Sequence, residues 1–148
     1  MDGTNSATSG AANTPPPSAP GVITKSSPHS VPETIERLQR TIHAKGLTLF
    51  AHIDHSAAAR EVGLTMQEAH VLIFGSPKAG TPLMVATPLV ALDLPLRALV
   101  WQDNDGHSWV SYNSTTYLAE RYGIPDALTK NIAGIDALVD AALHTAVE

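Results

Sequence analysis

The 148-residue sequence predicts a single α+β domain behind a short tail. Two observations carry that prediction. Strand-like runs alternate with capped helical stretches from Gly21 onward, and LRALVWQ and SWVSYN are two β-rich runs joined as a hairpin around DNDG. Hydrophobic residues make up 43% of the chain, enough for a core, and charged residues only 16%. Residues 1–20, MDGTNSATSGAANTPPPSAP, lack the apolar surface that would offset ordering, so this stretch reads as a disordered N-terminal tail. It has neither the basic start nor the apolar run of a secretory signal, and no later stretch is apolar enough to span a membrane. The cytoplasm is the expected compartment.

Each element follows from local chemistry. Gly21 to Ser27, with its β-branched centre, reads as a first strand. Ser30 and Glu33 form a capping box with Pro32 in the first turn, and Val31, Ile35, Leu38 and Ile42 make the apolar stripe of a helix that Gly46 ends. Glu33–Arg37 and Glu36–Arg40 are expected i,i+4 pairs on its surface. LTLFAHID alternates as a strand, with Thr48, Phe50, His52 and Asp54 on one face, and Asp54 caps the short helix HSAAAREV before Gly63. TMQE matches a capping box for at most one turn.

AHVLIFG and RALVWQ are apolar on both faces and predict interior strands covered on both sides. Between them, Thr81-Pro82 predicts a short helix from Pro82 to about Ala86, and Thr87-Pro88 a turn. After the hairpin, whose Gly106 is free to take positive φ, Asn113 or Ser114 caps TTYLAERY, which Gly123 ends. The last segment, 124–148, sets Ile135, Leu138, Val139, Ala142, Leu143 and Ala146 at helical spacing. It predicts an amphipathic helix docked on this fold or on a partner.

Several functions are disfavoured at once. Net charge is −5 and no stretch clusters Lys or Arg, so neither nucleic acid nor an anionic membrane is an expected partner. The absence of cysteine removes disulfides, thiolate metal sites and thiol nucleophiles. The pattern G-x-S-x-G does not occur, so no nucleophile elbow is offered.

The strings LFAHIDHSAAAREVGL, VLIFGSPKAGTPLM, ALDLPLRALVW, SYN and YLAERYG stand in the order found in the domain-of-unknown-function 302 family of bacterial and archaeal proteins, which this chain resembles from about Gly21 to Gly123. The resemblance implies a single mixed, largely antiparallel sheet backed by helices, in an arrangement likened to the TATA-binding-protein sheet. It also implies a homodimer. It implies no activity and no cofactor.

Three groups of residues are candidates for chemistry. His52, Asp54 and His55 form the densest ionisable cluster and suit acid–base work. Their spacing matches no standard metal motif, and the plainer reading is that Asp54 caps a helix while His52 hydrogen-bonds across the sheet. FGSPKAGTPLM has two glycines, a lysine and a threonine, as a P-loop does, but Lys78 precedes Gly80, and Pro77 and Pro82 remove N–H groups from the cradle. What remains is a possible anion seat at Lys78, Gly80 and Thr81, using free N–H groups at Leu83 and Met84. Asp93 and Arg97 near one strand start read as a salt bridge or a ligand clamp. Trp101, Trp109 and Tyr112 read as packing rather than a stacking platform. No metal ligand set is assigned. The expected function is non-catalytic binding of a small anionic ligand or a protein partner. The alternatives are a small enzyme using the His/Asp cluster, or a purely structural module.

Overall fold

Strand β1 (Val22–Ser27) enters the sheet at one edge, and the chain then builds β2 (Thr48–Asp54), β3 (Ala69–Gly75), β4 (Leu96–Gln102) and β5 (Ser108–Asn113). The computed structural model describes residues 18–144. Most of the expected tail, and Ala146, therefore lie outside the described residues.

The strands form one five-stranded sheet in the order β1-β5-β4-β3-β2, with every neighbouring pair antiparallel. The expected α+β class with a helix-backed sheet is what the structure has. The described strands make it wholly antiparallel rather than mixed.

Helix α1 (Val31–Ala44) starts where its capping serine stands, with the Ser30 side chain accepting from the Glu33 N–H. Its stripe of Val31, Ile35, Leu38 and Ile42 is buried. The Glu36–Arg40 pair is present at 3.5 Å, while Glu33 and Arg37 make contacts elsewhere. Arg37 is buried and donates from Nε to the Ala142 carbonyl at 3.0 Å, while the Glu33 carboxylate stands 3.4 Å from His29 Nδ1. Arg37 turns inward because it meets the last helix, where its donors satisfy a carbonyl near that helix's C-terminus.

That last helix, α6 (Ile135–His144), follows α2 (His55–Glu61), α3 (Pro77–Ala86), a 3-10 turn at Pro88–Asp93, α4 (Thr115–Tyr122) and the one-turn α5 (Asp126–Thr129). Ile135, Leu138, Val139, Ala142 and Leu143 of α6 share one core with the α1 stripe and with Leu72, Phe74, Ala98, Val100, Val110 and Tyr112 of the sheet. A second cluster joins Leu83, Val90, Leu118, Ile124 and Ile132 beyond it. The segment 64–68 is irregular, so TMQE caps nothing.

The alternate strand residues correct one expectation. His70, Leu72 and Phe74 of β3 are buried, whereas Val71 and Ile73 are only partly so. Leu99, Trp101 and Trp109 on the neighbouring strands share that second face. The sheet is covered by helices on one face, and its second face, where these apolar residues sit with Arg97 and Ser111, keeps contact with solvent.

Candidate functional site

A different helix start reshapes the loop that the sequence suggests as an anion seat. Helix α3 begins at Pro77, with Ser76 as its cap, its Oγ accepting from the Ala79 N–H at 3.3 Å. Thr81 and Gly80 are thus inside the helix and Thr81 is no cap. The N–H groups of Leu83 and Met84 lie within the helical ladder rather than free. Pro77 has no N–H, Ala79 is capped, and Gly80 donates to the Ser76 carbonyl, so the first turn retains a single unpaired donor at Lys78. Pro82 sits inside the helix and removes the donor that the Lys78 carbonyl would meet. Lys78 is exposed, so water can take that place and the cost is small.

Beside this helix lies a cavity of about 410 Å3. Leu47, Phe50, Met84, Leu94, Leu96 and Leu138 supply much of its apolar wall, and Gly80 and Thr81 line it with Ser76 and Asn131. Asn131 Nδ2 donates to the Ala79 carbonyl at 3.0 Å and ties the segment before α6 to the cavity wall. Among the described residues, Lys45 is the one charged residue in the lining. Lys78, Asp93 and Arg97 are not in it. Asp93 is held elsewhere, accepting from the Tyr122 hydroxyl and from Arg121 at 3.1 Å, and its bond raises the Tyr122 hydroxyl above its ordinary range. Arg97 points to the second sheet face and donates to the Leu92 carbonyl at 3.4 Å. The expected Asp93–Arg97 pair therefore does not form, because alternate strand positions send Arg97 to the face away from the helices.

The His/Asp cluster stands at the other end of the same strands. Gly75 of the cavity and His70 of the cluster are about 17 Å apart along β3 at the usual rise per residue. Antiparallel register sets Asp54 opposite His70 and His52 opposite Leu72, so all three side chains share a face. His52 Nε2 lies 2.9 Å from His70 Nδ1, and His70 Nε2 lies 2.6 Å from Glu68 Oε1 and 3.8 Å from Asp54 Oδ1. Asp54 also caps α2, accepting from Ser56 Oγ at 2.6 Å and the Ala57 N–H at 2.8 Å. The Ser56 hydroxyl first, then that N–H and the neighbouring His70, hold its carboxyl below the usual range. His55 begins α2, exposed and away from the group. Both halves of the plain reading of His52 and Asp54, the cap and the cross-strand bond, are present.

Glu68 and His70 are the residues that sequence reasoning missed. Their signal was the E-A-H spacing just before and into a strand, which mirrors H-I-D on the strand beside it. Only the register makes the two motifs meet. Elsewhere, Trp101 and Trp109 stack with ring centroids 6.4 Å apart, while Tyr112 faces the core and donates to Asp136.

Fold and site together define an α+β domain with a helix-backed antiparallel sheet, an apolar cavity at one end of its central strands and a histidine–carboxylate group at the other. The chain belongs to the family described as domain of unknown function DUF302, whose model matches residues 23–142. That span passes Gly123 and takes in most of α6. The chain is 40% identical over 119 residues to "Fluoride-specific ion channel FluC 1" of Brucella suis, covering 80% of this chain and 46% of that protein. It is equally similar to "Fluoride-specific ion channel FluC 2" of Brucella melitensis, at 40% over 119 residues and 43% of its length. The chain thus spans less than half the length of the curated relatives it matches. Among solved structures, an uncharacterized conserved DUF302 protein from Bacillus stearothermophilus superposes with a TM-score of 0.71 at 24% identity, covering 84% of this chain and 97% of that one. This likeness supports the fold. No described helix is long and apolar enough to cross a membrane.

Proposed function

We propose that this domain binds a small amphipathic carboxylate, without catalysis, in the cavity beside α3, and that it works as a homodimer. The cavity carries the reading. About 410 Å3 is within the size range of small-ligand sites, and apolar walls with a few polar groups are their usual lining. The lone cation, Lys45, favours a single negative group on an apolar body. The preference for an anion therefore moves from the loop N–H groups to this lysine.

The curated relatives are named as fluoride-specific channels. Conduction requires segments that cross the bilayer with their backbone groups satisfied internally. We read the shared stretch as a domain joined to a channel in those relatives, with the conducting part in the length that the match leaves uncovered.

Thermal unfolding of the full chain with medium-chain fatty carboxylates, their matching alcohols, and sodium fluoride against sodium chloride tests the proposal. A carboxylate at a hundred times its dissociation constant adds about 2.7 kcal/mol of stability. Lys45→Ala should erase its advantage over the alcohol, and Gly80→Leu, which fills the cavity, should erase both responses. No response to any carboxylate overturns the reading.

A second reading, acid–base catalysis, is favoured by the chain of contacts Glu68–His70–His52, in which a carboxylate orients one imidazole and that imidazole holds another. It ranks lower because none of these residues lines the cavity.

A further inference from the structure

We infer that Asp54, Glu68 and His70 bind one divalent transition-metal ion of the zinc class, with His52 as the outer partner of His70. One ligand atom from each of the three lies within 4.8 Å of the others. A tetrahedral zinc site with bonds of 2.0–2.2 Å spaces its ligand atoms about 3.4 Å apart. The observed 2.6 Å and 3.8 Å from His70 Nε2 to Glu68 and Asp54 fall on either side of that spacing. An ion needs side-chain shifts of less than about 1 Å to be seated at such bond lengths.

The group is built rather than incidental. His70 is on an interior strand and its side chain is only 9% exposed, so its ring is fixed by the core. Asp54 is oriented by the Ser56 hydroxyl and the Ala57 N–H, both on Oδ1, which leaves Oδ2 of the same carboxylate for an ion. Two carboxylates and a neutral imidazole also balance a dication without a buried net charge.

The protons balance as well. Without metal, the contacts are satisfied by the tautomers in which His70 Nε2–H donates to Glu68 and His52 Nε2–H donates to His70 Nδ1. With metal on Nε2, the His70 proton sits on Nδ1 and donates to His52 Nε2, while His52 carries its own proton on Nδ1. The proton count is unchanged and only the tautomers differ. This is the orienting contact that metal-bound histidines usually make. Three protein ligands leave a fourth position open, and the half-exposed Glu68 gives the ion a way in.

The test is calorimetric titration of chelator-treated full-length protein with zinc chloride, paired with the visible spectrum of the cobalt(II) form. One ion per chain with four-coordinate cobalt bands is expected. Glu68→Gln and Asp54→Asn, both on the partly exposed side, should each weaken binding by at least about tenfold, and His52→Ala by about tenfold with one ion still bound. His43→Ala, outside the group, should leave affinity unchanged. Absence of zinc binding in the intact protein, or unchanged affinity in both Glu68→Gln and Asp54→Asn, overturns the site. None of these variants touches the cavity, so the carboxylate reading stands or falls separately.

Discussion

Two glycines of this chain answer opposite demands. Gly21 has φ of 77°, and a Cβ there would stand 2.2 Å from the Tyr117 ring, so both backbone and packing require glycine. Gly80 lies in the interior of α3 without that constraint, and a Cβ would meet Leu94 and Met84 at 3.9 Å, an ordinary contact. Gly80→Ala should therefore stabilise the protein by about 0.5–1 kcal/mol through helix propensity. Gly21→Ala should cost more than about 1 kcal/mol, since its native conformation is closed to alanine. Urea unfolding of the two variants should give midpoints on opposite sides of the parent. The same reasoning applies to Asp103, which burial would push up. The Trp109 indole and the His107 and Asp105 N–H groups instead hold its carboxyl below the usual range and shape the hairpin turn that Gly106 completes.

Helix α3 and helix α6 set the scale of whole elements. If Ser76 rather than Thr81 caps α3, Ser76→Ala should lower stability by about 1 kcal/mol. Thr81→Ala should leave it equal or slightly higher, because alanine is the better residue inside a helix. Helix α6 is tied to the sheet by the buried Tyr112, whose hydroxyl donates to Asp136, and by Lys25, 2.8 Å from Asp140. Burial, and then that bond, push the Tyr112 hydroxyl up to about 12 from 10.0. The unfolded chain loses this proton near pH 10 while the folded chain keeps it, so the stability it contributes is whole below pH 10 and lost as pH rises through 12. Denaturant midpoints should fall across that window, and Tyr112→Phe should flatten part of the fall. Caps and stripes made most elements legible: Ser30, Ser114, Gly123 and the α6 stripe all act as local chemistry dictates. Helix α3 was misplaced because Ser76-Pro77 and Thr81-Pro82 satisfy the same cap-and-proline rule. The earlier pair makes the cap, Ser76 Oγ accepting from the Ala79 N–H, and Asn131 holds that first turn by donating to the Ala79 carbonyl. The metal group was illegible for a related reason. Glu68 resembles a helix cap until strand register brings His70 opposite Asp54.

For the molecule as a whole, the telling feature is the sheet face without helices. A solvated antiparallel face ordinarily presents polar side chains. Here Val71, Ile73, Leu99, Trp101 and Trp109 occupy it, with Ile53 41% exposed at its margin. These half-buried apolar residues, with Arg97 and Ser111 among them, are where the proposed dimer would seat a second copy of the chain. Light scattering after size exclusion should give twice the chain mass, and Ile73→Lys with Val71→Lys should give a single chain with unchanged circular dichroism. A parent mass of one chain at all concentrations would remove the dimer. A dimer formed through the face would leave the rim at β2 open. That strand is an outer edge of the sheet, and its row of unpaired amide and carbonyl groups is a template on which another chain's strand can add. The register shift between Leu49 and Ala51 breaks the row in its middle. Edge-to-edge growth toward fibrils thus meets a misaligned backbone along this rim.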